Sequence, residues 1–74
     1  MKAIRREEIV VEYKGKEYKG SRVIEGVRKL FQTIHYGGLS RFDGHPYERR
    51  EESVMQGVAR LILLELVKEV HDQE

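Results

Sequence analysis

The sequence predicts an α+β domain: an antiparallel meander of three or four strands packed on one C-terminal helix. Three observations predict it. Residues 7–24 alternate apolar and polar side chains around a Lys14-Gly15-Lys16 turn, which is hairpin patterning. Residues 53–70 (SVMQGVARLILLELVKEV) repeat their apolar positions at helical spacing, and they are the only segment with enough apolar mass to found a core. The chain has 74 residues and no cysteine, so one small domain, residues 1–74, must hold without disulfides or thiolate metal sites. A chain of this size buries only about 60–65% of the surface that its unfolded form exposes, which makes association with a second copy a natural support.

The hairpin comes first. Ile9, Val11 and Tyr13 alternate with Val10 and Glu12, and Gly15 can take the positive φ of a tight turn. The return strand is expected over residues 17–24. Gly20 inside it marks a bulge or a close backbone approach.

Residues 23–36 admit two readings. Val23, Ile24, Val27, Leu30, Phe31 and Ile34 fall at helical spacing, and Gly37 would suit a helix end. That gives the alternative fold, a hairpin followed by two helices with residues 22–36 helical. Against it, Gly26 would cost about 1 kcal/mol inside a helix, and Phe31-Gln32-Thr33-Ile34-His35-Tyr36 is rich in strand formers. As a strand, residues 29–36 put Leu30, Ile34 and Tyr36 on one face and Lys29, Phe31, Thr33 and His35 on the other. Tyr36-Gly37-Gly38-Leu39 then becomes a second hairpin turn, leading into a short fourth strand over residues 39–42.

The order YKGKEYKGS, the VIEG turn, a strand ending in YGG and the helical ARLILLELV resembles a group of short uncharacterised bacterial proteins. In these a hairpin-rich front precedes one C-terminal helix. The resemblance spans most of the chain and implies the strand reading. Its motifs are turns and core positions, so it implies a fold and no activity.

Asp43-Gly44-His45-Pro46 reads as a loop. The helix starts either at Pro46, where proline suits a first turn, or at Ser53, whose spacing to Gln56 matches a capping box. It runs to about His71, a residue favourable at a helix C-terminus. Met55, Val58, Ala59, Ile62, Leu66 and Val70 form the expected core stripe, with Leu63 on one flank and Val54 and Leu61 on the other. Leu64 and Val67 are expected to point outward with Arg60 and His71, and Gly57 near that face would permit close approach. Arg60, Leu64, Val67 and His71 are therefore the candidate homodimer interface.

Charge is balanced overall, with 14 basic and 13 acidic residues, but not along the chain. Residues 1–50 carry 12 Lys and Arg against 7 Asp and Glu, and residues 51–74 carry 2 against 6. The basic front, interleaved with rings, makes Lys19, Arg22, Arg28, Lys29, Phe31 and His35 a candidate single-stranded nucleic-acid face. A pI near 8.0 is low for that role, and lysines also keep exposed strands soluble.

Signatures of chemistry are sparse. His35, His45 and His71 form no metal-ligand spacing. Gly37-Gly38 lacks a phosphate-loop frame. Asp43 and His45, with Ser40 and Tyr47 near in sequence, could sketch an acid–base site, but Asp43-Gly44 is turn chemistry. No apolar h-region opens the chain and no run approaches the ~20 residues that span a bilayer. The expectation is a cytoplasmic, non-enzymatic interaction module without a cofactor. It acts as a homodimer or with an unidentified protein partner, and the alternative is nucleic-acid binding.

Overall fold

The computed structural model describes residues 3–72. Four strands, β1 (Ala3–Tyr13), β2 (Lys16–Gly26), β3 (Leu30–Tyr36) and β4 (Leu39–Tyr47), pair in chain order as an antiparallel sheet. A 3-10 turn (Arg49–Glu51) leads into one helix, α1 (Glu52–His71). This is the meander with a C-terminal helix. The helical alternative for residues 22–36 does not occur.

The β1–β2 hairpin runs in unbroken register from Tyr13↔Lys16 to Ala3↔Gly26. Lys14 (φ 53°) and Gly15 (φ 80°) form its two-residue turn, and positive φ at both positions matches the right-handed strand twist. The return strand is longer than residues 17–24 and contains no bulge. Gly20 serves close approach instead, because a Cβ there would lie 2.5 Å from Leu63 Cδ1 and 2.7 Å from the His35 carbonyl oxygen.

Alternation in β3 falls as the sequence implies. Leu30 and Ile34 are buried beneath α1, while Phe31, Thr33 and His35 stand on the uncovered face. Gln32, also on the covered face, is fully buried.

β4 is longer than the expected residues 39–42. It takes in Asp43-Gly44-His45-Pro46, with a register irregularity where Leu30 pairs with Tyr47 and Gln32 with Asp43. Pro46 is tolerated because β4 is an edge strand. Helical structure begins neither at Pro46 nor at Ser53. The capping box is formed by Glu48 and Glu51: each side chain accepts from the other's backbone N–H.

The core lies between the sheet and α1. One cluster joins Ile9, Ile34, Ala59, Leu63, Leu66 and Val67. A second joins Ile24, Leu30, Tyr47 and Met55. Arg22 and Gln32 alternate with these apolar positions on the same covered face, so a polar layer separates the two clusters. No helix among the described residues is long and apolar enough to cross a membrane.

Candidate functional site: the polar layer, the open sheet face and the β1 edge

The polar layer is built from all four strands. Arg22, 1% exposed, donates to Glu7 at 2.7 Å and to Gln32 Oε1 at 3.1 Å, and lies 3.4 Å from Glu52 at the start of α1. Gln32 donates to the Met55 carbonyl at 2.9 Å and to Asp43 at 3.0 Å. Tyr47 donates to Asp43 at 2.6 Å. No buried side-chain polar atom among the described residues lacks a partner. The layer ties the N-terminal turn of α1 to every strand, and its saturated bonds make it structural.

Its electrostatics follow from those bonds. The hydrogen bond from Arg22 holds the Glu7 carboxyl below the usual range. Burial would push Asp43 up, but bonds from Gln32, Tyr47 and the His45 backbone outweigh it and hold the carboxyl low. Burial, then the neighbouring Asp43, pushes the Tyr47 hydroxyl up to about 12.

This placement corrects one candidate. Arg22 does not belong to a nucleic-acid face, because the even positions of β2 point at α1 and the side chain is enclosed there. It also redefines the Asp43–His45 pair. Asp43 receives a bond from the His45 backbone at 3.2 Å, the His45 ring packs against Tyr47 at 4.6 Å, and Ser40 points to the opposite face of β4. No group of three or more metal-ligating side chains occurs among the described residues.

The proposed helix interface is also corrected. Val67 is fully buried with Ile9 and Leu63, and Leu64 is half-buried. His71 lies against Tyr36 OH at 2.6 Å and the Tyr18 ring at 4.6 Å. Arg60 is exposed. The aliphatic residues of α1 that do face outward are Leu61 (63% exposed) and Val54 (58%). The buried face is therefore turned by roughly 40° from the stripe centred between Met55 and Leu66. Leu63 dropping onto Gly20, and Arg41 of β4 holding Glu65 and Glu69 at 2.9 Å each, fix that rotation.

The open face of the sheet carries the other candidates. Phe31 stacks on Phe42, with ring centroids 6.2 Å apart and planes 20° apart. Phe42, which sequence reasoning passed over, is 59% exposed. With Glu25, Val27, Arg28 and Lys29 the pair borders a depression of about 540 Å³. Lys29 is engaged by Glu48 at 3.1 Å. Lys19 and His35 stand on the same face. So do Arg6 and the four carboxylates Glu8, Glu12, Glu17 and Glu25. The face is mixed in sign rather than basic.

The last candidate is an edge. β1 is an outermost strand of eleven residues with nothing paired to its outer side in the described chain. Compared with known proteins, the chain has no significant match to a family model, a curated protein or a solved structure.

Proposed function

We propose that this chain is a small non-enzymatic interaction module that works as a homodimer. One observation carries the reading: among the described residues β1, the longer of the two rim strands, has nothing paired to its outer edge. Unpaired N–H and C=O groups along a strand are a template for another strand. Among the described residues neither a covering loop, a proline nor a bulge blunts this edge, whereas the opposite edge, β4, has both Pro46 and a register irregularity. A thin two-layer core also gains from added burial. Light scattering at micromolar concentration tests the reading. The expected mass is twice the 8.7 kDa of the chain, and a monomer mass throughout the accessible range overturns it.

A second reading, single-stranded nucleic-acid binding, is favoured by the stacked Phe31 and Phe42 beside Arg28 and Lys29. Bases stack on such rings, and cations hold the backbone. Binding to an oligonucleotide should then fall steeply with salt and be lost in Phe42→Ala. An absence of binding at low salt removes this reading.

A further inference from the structure

The turn fixes which groups β1 leaves free. Tyr13 and Lys16 flank a two-residue turn and face each other across it, so they form a hydrogen-bonded pair. The odd residues of β1 therefore aim N–H and C=O at β2. Ile4, Arg6, Glu8, Val10 and Glu12 aim theirs away from the sheet. The side chains of these even residues stand on the open face, where Ile4 is 69% and Val10 37% exposed. Arg6 and Glu8 make no ion pair or side-chain hydrogen bond among the described residues.

The even positions read apolar, positive, negative, apolar. Reversed, that order is its own complement. We infer that β1 pairs antiparallel with β1 of a second copy about a two-fold axis at Glu7, joining the two sheets into one of eight strands. The inference rests on the homodimer reading above and names its surface and register. Arg6 then stands opposite the partner's Glu8, and Ile4 opposite the partner's Val10, each pair occurring twice. The four even pairs supply about eight backbone hydrogen bonds.

Neighbouring registers are disfavoured. A shift by two residues one way sets Arg6 against the partner's Arg6, and the other way sets Glu8 against the partner's Glu8. A shift by one exchanges the two faces of the strand. At the axis Glu7 meets the partner's Glu7, but each carboxylate is already held by Arg22 at 2.7 Å and Arg5 at 2.9 Å.

The helices fit this arrangement. Leu63 on Gly20 places α1 over β2. Three strand spacings separate β2 from the partner's β2, about 14 Å, which exceeds the 8–10 Å of direct helix packing. Glu65 and Glu69 lean to β4 through Arg41, so the opposite flank, with Arg60 and Leu64, borders the gap between the helices.

Charge exchange tests the register. Sedimentation equilibrium would compare the wild type, Arg6→Glu, Glu8→Arg and the double variant. Each single change opposes like charges twice and should weaken the dimer at least about tenfold. The double variant should recover wild-type affinity, and a mixture of the two single variants should form a heterodimer. Amide exchange at Arg6, Glu8 and Val10 should slow as concentration rises. A dimer that persists unchanged in both single variants, with these amides still fast, overturns the register and leaves the homodimer reading standing on another surface. A wild-type monomer up to about 100 μM overturns both.

Discussion

Leu63 rests on the bare backbone of Gly20: a Cβ added at that glycine would stand 2.5 Å from Leu63 Cδ1 and 2.7 Å from the His35 carbonyl oxygen. The glycine thus sets both the height of α1 above the sheet and the rotation of its buried face. Gly20→Ala should cost about 1–3 kcal/mol through overpacking, measured by urea unfolding. Leu63 can yield where the carbonyl cannot. In a cycle with Leu63→Ala the two costs should therefore add to less than their sum, and full additivity would deny the contact.

The rotation of α1 separates two aliphatic residues that periodicity alone confuses. Val67 is fully buried and Leu61 is 63% exposed. Val67→Asp should abolish cooperative unfolding, because an unpaired charge would enter the core. Leu61→Asp should change stability by about 0.5 kcal/mol or less. Thermal melts followed by circular dichroism distinguish them, and equal effects would mean that the helix sits in another rotation.

Arg22 anchors the polar layer between the two apolar clusters. Arg22→Ala leaves Glu7 without its closest partner and the buried Gln32 Oε1 without its donor. The expected loss is about 3 kcal/mol. Arg22→Met, which refills the volume, should lose less. Chemical denaturation of both variants checks the order, and an Arg22→Ala protein as stable as wild type would contradict the network.

Glu7 and Asp43 give the stability a defined acid limb. Both carboxyls sit below their usual pKa in the folded state, Glu7 through Arg22 and Asp43 through Gln32 and Tyr47 against the effect of burial. A carboxyl with a lowered folded value adds stability that is fully present above its unfolded value and is lost as pH falls through the folded value. The urea midpoint should hold between about pH 5 and 7 and decline below about pH 4. Glu7→Gln should flatten part of that decline, and an unchanged slope would remove Glu7 from the account.

Parts of this architecture are written locally. The Lys14-Gly15 turn, the alternation of Ile9, Val11 and Tyr13, and the Gly37-Gly38 turn each specify a hairpin through a few neighbouring residues, so the meander is legible in the chain. The strand over Leu30–Tyr36 is legible only in part, because Gly26 and the strand formers Phe31, Thr33 and Ile34 oppose an apolar spacing that also suits a helix. Nothing local marks Phe42 as a site residue, since only the β3–β4 register brings it beside Phe31.

Local patterning specifies the first hairpin, the second turn and one amphipathic C-terminal helix, in that order, and leaves residues 23–36 open between strand and helix. Periods of two and 3.6 are properties of single segments, and burial enforces them. Packing between elements remote in the chain sets which way each residue near a boundary of the buried faces turns. Val67 went inward and Leu61 outward because Gly20 and Arg41, remote in the chain, set the rotation of α1. Arg22 passed from a candidate surface cation to a buried anchor because Glu7, Gln32 and Glu52 come from three other elements. A free β1 edge likewise exists only once the strand order is known, since no local pattern says which strand will lack a neighbour.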